Sequence, residues 1–317
     1  MFFKKKKYFL NLSFLMMLLG ILLGLNSVSW LMMWLSMEIT LMFFIPQMML
    51  KKSVIESFSC LKYFIFQCLG STFFILGGLN LSILMTFGLF MKLGMFPNHF
   101  WVLSISKSLN WMNFLLFMTV QKILPLMFLI FSLKFMLSFF ILIFLNSLIG
   151  NLSSMNQTDL RLLMSFSSMN HMSWMIISTM FNMYFFYIYM TLYILLMILL
   201  FIFFEKMKIF YLFQLFYLKN FKMKYNYLMM FTIFFSFMGF PPFLGFLIKL
   251  ISITSLCNFF FLLLLFFLMM QNLFISFSYI RTLIFMFLNV SRSTKWNKYN
   301  LKGYFNLFYF IFFMMLI

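Results

Sequence analysis

Long apolar stretches, separated by short polar or charged segments, run through the whole sequence. A helix that crosses the hydrocarbon core of a bilayer needs about 20 consecutive apolar residues, and most of these stretches approach that length. Transmembrane barrels use short segments of alternating polarity instead, so the sequence predicts an all-α polytopic membrane protein. There are eleven candidate spans: Tyr8–Leu25, Trp30–Leu50, Leu61–Leu79, Ile83–Leu103, Met112–Phe131, Phe135–Ile149, Leu160–Met180, Tyr184–Phe204, Leu228–Ile251, Phe259–Tyr279 and Tyr304–Ile317.

The composition excludes a soluble globular protein. Of the 317 residues, 65% are hydrophobic and only 9% are charged, whereas soluble domains carry about 25% charged residues. The net charge of +19 does not indicate nucleic-acid binding, because that function needs a basic face on a soluble fold. The chain has 55 Phe and 35 Met residues but no Ala. This bias is expected of a gene rich in A and T, because Phe has AT-rich codons and Ala does not. Met is frequent if the codon ATA is also read as Met, which indicates an organellar gene.

The basic residues predict how the chain lies in the membrane. Loops on the inner side are enriched in Lys and Arg, and with eleven spans the N-terminus shares its side with loops after even-numbered spans. The opposite side then has only Lys134, and this asymmetry supports the count of eleven. The basic side contains Lys4, Lys5, Lys6, Lys7, Lys51, Lys52, Lys107, Arg161, Lys206, Lys208, Lys219, Lys222, Lys224, Arg281, Arg292, Lys295, Lys298 and Lys302.

Five charged side chains lie inside the apolar spans, and they are the strongest chemical signal in the sequence. Each costs roughly 2.5–3.5 kcal/mol if it faces hydrocarbon, so we expect these groups to face protein or water. They are Glu38, Lys62, Lys92, Lys122 and Lys249. Each also has a structural interpretation: Lys62 could extend to the membrane interface, Glu38 could be a static counter-ion, and the other three lysines could have a structural role only. His171 could relay protons or pack helices.

Two spans combine a lysine with helix-breaking residues. Lys92 lies near Pro97, and Lys249 lies near Pro241 and Pro242. Backbone groups that a break frees must be satisfied by protein or water. One such helix in each half of the chain is typical of an ion path in a transporter built from repeats.

The sequence contains no recognisable motif for a nucleotide, haem or metal. Cys60, Cys68 and Cys257 lack the CxxC spacing of zinc and iron–sulfur sites. Glu205 stands among lysines and is interpreted as a solvated neighbour, and His99 follows a proline and is interpreted as structural. We therefore expect the chain to move charge without holding a redox centre.

A series of motifs, in order along the chain, resembles the subunit 2 family of mitochondrial NADH dehydrogenase, which are antiporter-like subunits of respiratory complex I. The most extensive is NQTDLRLLMSFSSMNHMSW at 156–174. Any one of the motifs is weak, but their shared order is specific. The others are WLSMEITLMFFIP at 34–46, LKYFIFQ at 61–67, KLGMFPNHFW at 92–101, LNWMN at 109–113, VQKILPL at 120–126 and GFPPFLGFLIK at 239–249.

The resemblance implies an antiporter-like fold with two inverted five-helix repeats and two broken helices. The repeats would occupy residues 1–133 and 134–282, and a loop and the final span would occupy 283–317. Lys92 would then correspond to Lys249. Glu38 has no acidic counterpart in the seventh span, where His171 lies instead.

The resemblance also implies a core membrane-arm subunit of NADH:ubiquinone oxidoreductase in the mitochondrial inner membrane, with its N-terminus and basic loops in the matrix. Other subunits would handle NADH, FMN, iron–sulfur clusters and ubiquinone, so this chain would bind no cofactor or metal. Its partners would be other complex I subunits, including neighbouring antiporter-like subunits, and lipids. A scaffold subunit and a stand-alone cation/proton antiporter are the alternatives. The implied proton-translocating residues are Glu38, Lys62, Lys92, Lys122, His171 and Lys249.

Overall fold

The computed structural model describes residues 2–49, 53–79, 82–132, 137–181, 183–216, 224–255 and 259–292. In these ranges the chain is almost entirely helical, and Asp159 and Tyr211 form one isolated antiparallel bridge. The helices are α1 (Phe2–Leu25), α2 (Trp30–Met48), α3 (Val54–Gly78), α4 (Ser82–Leu93), α5 (Phe100–Ser106), α6 (Trp111–Met118), α7 (Val120–Ser132), α8 (Leu137–Ser154), α9 (Leu160–Phe181), α10 (Met183–Met207), α11 (Leu212–Phe216), α12 (Lys224–Met238), α13 (Leu244–Ser255) and α14 (Phe259–Arg292).

Several of these helices have the length and composition of membrane spans, which confirms the prediction of an all-α multi-pass protein. The chain divides into two compact units, Met1–Phe139 and Phe140–Ile317. Five helical segments in the described ranges are long and apolar enough to cross a bilayer: Trp30–Met48, Val54–Gly78, Trp111–Ser132, Met183–Met207 and Leu264–Phe285.

Both spans that were predicted to be broken are interrupted. The fourth span separates into α4 and α5, and Gly94 follows α4 with a φ of +68°. The ninth separates into α12 and α13, and Gly239 follows α12 with a φ of +81°. A left-handed residue just past the last turn is a common helix terminator, and glycine adopts this conformation without steric cost.

Glycines bring helices of the first unit into close contact. A Cβ atom on Gly70 of α3 would lie 2.7 Å from Cγ of Lys92 on α4. A Cβ on Gly88 would lie 2.7 Å from the carbonyl oxygen of Gly70. Small residues allow such approaches in lipid, where apolar area alone does not drive helices together. This packing places Lys92 directly against α3.

The two largest differences from the predicted helix boundaries are at the start of α3 and at the end of α14. α3 begins at Val54 rather than Leu61, because Ser53 caps it and accepts a 3.2 Å hydrogen bond from the amide of Glu56. A carboxylate in the first turn also interacts favourably with the helix dipole. α14 continues to Arg292 rather than ending at Tyr279. Arg281 does not end it, because its guanidinium donates to the carbonyl of Gln157.

The fifth predicted span, Met112–Phe131, contains an interruption that the sequence analysis missed. α6 ends before Thr119, whose φ of −114° and ψ of −71° depart from helical values. The Thr119 hydroxyl donates to the carbonyl of Leu115 at 2.7 Å, and such local bonds compete with helix geometry. The short helix α11 was also not predicted. The predicted span Tyr304–Ile317 lies outside the described residues.

Candidate functional site

Glu38 of α2 and Lys92 of α4 form a mostly buried ion pair. The Lys92 Nζ atom lies 3.1 Å from Oε1 of Glu38. Lys92 is 4% exposed, whereas the Glu38 side chain keeps 20% of its surface accessible. Among the described residues this is the one ion pair. The sequence predicted that both groups face the interior, and the structure brings them together.

The broken helix places Lys92 where a positive charge is favoured. Lys92 lies in the last turn of α4, and the C-terminal end of a helix carries partial negative charge. The side-chain amide of Gln67 donates to the Lys92 carbonyl at 3.1 Å, which satisfies one of the carbonyls at that end. Pro97 lies beyond Gly94, in the connection to α5. His99 also lies there, with Nδ1 3.2 Å from the Pro97 carbonyl oxygen.

Lys249 occupies the second broken helix with a different partner. Its Nζ donates a 2.8 Å hydrogen bond to the carbonyl of Met238, the last residue of α12. Lys249 is 5% exposed, and a Cβ on Gly239 would lie 3.0 Å from its Nζ. Pro241 and Pro242 lie in the connection from α12 to α13. No carboxylate among the described residues forms an ion pair with Lys249.

Lys122 lies just after the unpredicted interruption, beside a neutral hydrogen-bonded cluster. It is 5% exposed and stands three residues after Thr119, in the first turn of α7. The adjacent Gln121 accepts a 2.9 Å hydrogen bond from the hydroxyl of Tyr63 and donates a 3.2 Å bond to the carbonyl of Thr40. These two bonds attach the start of α7 to α3 and α2 and thereby fix the position of Lys122.

Tyr63 and Gln121 were not predicted from the sequence as parts of the site. A signal for Tyr63 is present in α3, where polar residues recur every three or four positions on the buried face. That spacing is typical of one side of a helix. The polar residues are Glu56, Ser59, Tyr63, Gln67 and Ser71.

Replacing Tyr63 with Phe tests the role of this cluster. The change removes one hydroxyl and leaves the side-chain oxygen of Gln121 without its hydrogen-bond donor. We therefore expect the free energy of unfolding to fall by about 1 kcal/mol. Thermal denaturation of the purified protein measures this loss. Tyr187→Phe is the matched control, since Tyr187 is 46% exposed. Equal behaviour of the two variants would contradict this role.

His171 lies in an aromatic environment on α9. Its Nδ1 atom is 3.0 Å from the hydroxyl of Tyr189, and its ring centroid lies 5.3 Å from that of Tyr193 and 5.8 Å from that of Phe237. Phe237 directly precedes Met238, the residue that holds Lys249. His171 and Lys249 thus both contact the end of α12.

A network of uncharged amides and hydroxyls joins α8, α9 and α14, and the sequence analysis did not predict it. Asn170 donates to the side-chain oxygen of Asn272 at 2.8 Å, and Asn146 donates to the hydroxyl of Ser173 at 3.0 Å. Ser147 and Gln271 form a further bond. The second unit therefore has a polar interior that depends on neutral side chains more than on charges.

Lys62 does not lie with the other lysines. It is exposed on the outer face of α3, so it does not face the interior of this chain, and its role in proton translocation stays a prediction. A charge inside a span indicates that some partner is needed, but it does not identify which face of the helix meets that partner. Its neighbour Tyr63 points inward because adjacent residues on a helix face different directions.

Comparison with known proteins identifies the family. The sequence model of one protein family matches residues 77–276, and that family is the transmembrane region of NADH:quinone oxidoreductases and Mrp antiporters. The chain belongs to this family. The matched region contains Lys92, Lys122, His171 and Lys249, whereas Glu38 precedes it. Membership in the NADH:quinone oxidoreductase/Mrp antiporter family agrees with the antiporter-like fold that the motifs implied.

Individual relatives confirm the resemblance to subunit 2. NADH-ubiquinone oxidoreductase chain 2 of Anopheles gambiae is 36% identical over 223 residues, which are 65% of this chain and 65% of that protein. The Artemia franciscana protein of the same name is 44% identical over 171 residues, or 53% of this chain and 55% of that protein. The matches thus span less than two thirds of these relatives.

A solved structure shows the same fold. A chain of respiratory complex I from Thermus thermophilus superposes with a TM-score of 0.77 at 19% sequence identity. The superposition covers 88% of this chain and 70% of that one. At this identity the likeness concerns the fold alone.

Proposed function

We propose that this chain is a core membrane-arm subunit of respiratory complex I and contributes to proton translocation across the mitochondrial inner membrane. The observation that carries the proposal is the buried ion pair between Glu38 and Lys92 at the end of a broken helix. Family membership and the names of the relatives support it. The electron-transfer chemistry, with its cofactors, would belong to other subunits.

The ion pair can act as a charge-dependent switch. The carboxylate of Glu38 stabilises the ammonium form of Lys92 in a medium where an isolated charge is costly. A charge that reaches the site from a neighbouring group would compete for one partner and separate the pair. Lys92 would then lose its counter-charge and release its proton, and it would load again when the pair re-forms.

Lys122, His171 and Lys249 would continue the path. The partner of Lys249 is a neutral carbonyl, and bonds between two charged groups are stronger than bonds to a neutral acceptor. Its ammonium form is therefore less stabilised than that of Lys92. This weaker stabilisation favours release of the proton of Lys249 to the next group along the path.

The remaining features of the proposal concern topology and assembly. Eleven spans in two inverted five-helix repeats would place the N-terminus and the basic loops in the matrix. The partners would be other subunits of the complex, including neighbouring antiporter-like subunits, together with lipids. These features follow from the charge asymmetry of the loops and from the order of the motifs.

The test replaces Lys122 with Met, which has a similar length and no charge. We expect the complex to assemble and its proton translocation to fall at least about tenfold, because a carrier that cannot bind a proton interrupts the path. Native gels measure assembly, and a pH-sensitive dye in sealed vesicles measures translocation. Lys206→Met, at the exposed end of α10, should change neither.

Other outcomes would favour the alternatives. Normal proton pumping by an assembled Lys122→Met complex would overturn the carrier role. Loss of assembly, with normal pumping per assembled complex, would favour a scaffold. Cation/proton exchange by the isolated chain in liposomes would favour a stand-alone antiporter.

A further inference from the structure

The outer face of α3 carries a regular stripe of exposed side chains. Their spacing alternates between three and four residues, which is the pattern of a helix that packs lengthwise against another helix. All members are apolar except Thr72 and Lys62, and Lys62 lies in the middle of the stripe. The members are Ile55, Phe58, Lys62, Ile65, Leu69, Thr72 and Leu76.

Lys62 lies at the depth of the hydrocarbon core. It follows the first residue of α3, Val54, by eight positions, which is about 12 Å along a helix axis. α3 has 25 residues and therefore measures about 37 Å, whereas the hydrocarbon core is about 30 Å thick. If both ends project equally, Lys62 lies about 8 Å, or about one and a half turns, inside the core, and its Cα atom is then below the level of the lipid phosphates.

The other lysines within spans show what such a charge requires. Lys92 has a carboxylate and Lys249 has a backbone carbonyl, and both side chains are buried. Lys62 forms no ion pair with any residue that the structure describes. All four Asp and Glu residues of the sequence lie in the described ranges and none forms an ion pair with Lys62. Since an unpaired cation at this depth is costly, we infer that a carboxylate partner comes from another chain.

We propose that this face of α3 is a subunit interface, occupied by a transmembrane helix of another subunit that places an Asp or Glu carboxylate against Lys62. The apolar members of the stripe would pack on either side of the pair and exclude lipid from it. A phospholipid is a poorer occupant, because its phosphate lies at the membrane surface rather than at this depth. The proposal rests on the proposed assembly into a complex but not on proton translocation.

An electron cryomicroscopy structure of the intact complex tests the contact directly. We expect a helix of another subunit along the stripe, with a carboxylate oxygen within about 4 Å of the Lys62 Nζ atom. Acyl chains along the stripe would overturn the proposal. So would a partner helix that has no carboxylate at that level.

Substitutions test whether the contact matters for assembly. Lys62→Met should lower the amount of assembled complex on native gels at least about tenfold, because it leaves the carboxylate of the partner buried without a cation. Lys62→Arg keeps the charge and should retain most of the complex, and Lys206→Met is the exposed control. Wild-type assembly of Lys62→Met would overturn the interface.

The two proposals can fail separately. If Lys62→Met assembles normally while Lys122→Met still stops pumping, the interface is wrong and the function stands. If Lys62→Met blocks assembly while Lys122→Met pumps normally, the interface stands and the carrier role is wrong.

Discussion

Replacing Glu38 with Gln should leave an assembled complex whose proton translocation has fallen about 10- to 100-fold. A hydrogen bond between charged groups contributes about 1.5–3 kcal/mol. Losing it should change the ratio of charged to neutral Lys92 by about the same 10- to 100-fold factor. Gln has nearly the same shape as Glu, so helix packing should persist. Dye quenching in sealed vesicles measures translocation, and native gels measure assembly.

A double-mutant cycle separates a working ion pair from two independent charges. Lys92→Met and the double variant should both pump as poorly as Glu38→Gln, because residues that act as one unit are strongly non-additive. The double variant should also assemble better than Lys92→Met alone, since it leaves no unpaired carboxylate. Glu205→Gln changes an exposed carboxylate at the end of α10 and serves as the control.

Additive losses in this cycle would contradict the pair as the working unit. Normal pumping by Glu38→Gln in an assembled complex would contradict the switch itself. A fall in pumping for Glu205→Gln equal to that of Glu38→Gln would indicate a general effect of lost negative charge. We expect none of these outcomes, because the 3.1 Å contact is specific to Glu38 and Lys92.

Much of the fold could be predicted from apolar length and helix breakers, because lipid requires every backbone group to be bonded within the protein. The start of α9 was predicted at Leu160, where the structure places it. The predicted helix boundaries were wrong where a polar residue caps a helix or lies in its first turn. Ser53 and Glu56 look like a loop in the sequence, yet Ser53 caps α3 and Glu56 occupies its first turn. The interruption at Thr119 was missed because its bond to Leu115 leaves no compositional signal.

Of the residues of the candidate site, the sequence indicated mainly the charged ones. Glu38 and Lys92 are 54 residues apart, and their charge inside apolar spans identified them without indicating that they touch. Their contact depends on how closely α3 and α4 approach at Gly70. Neutral groups such as Tyr63 and Asn170 were missed, because such side chains cost less in a span than charges do and so stand out less. Lys62 shows the converse, since its charge is evident in the sequence and its outward direction is not.

Replacing Gly245 with Ala should disrupt the second broken helix and remove most of the assembled complex. Gly245 is the second residue of α13, and a Cβ atom there would overlap the backbone carbonyl of Ser236 on α12. A backbone atom cannot rotate away as a side chain can, so α12 and α13 would have to separate. Lys249 on α13 would then move away from the carbonyl of Met238. Overpacking of this kind typically costs about 1–3 kcal/mol, and more where backbone must move.

Gly20→Ala is the matched control, because it adds the same methyl group to a helix of the first unit. Its Cβ would lie 2.8 Å from Cγ2 of Thr40 and 3.1 Å from Cγ2 of Ile39, so it would contact side chains rather than overlap backbone. Ala also favours helix by about 1 kcal/mol over Gly, which offsets part of the tighter contact, so this variant should assemble better than Gly245→Ala. Native gels and thermal denaturation compare the two. Equal assembly of both variants would show that α12 and α13 do not need their close approach, and the position of Lys249 would then need another cause.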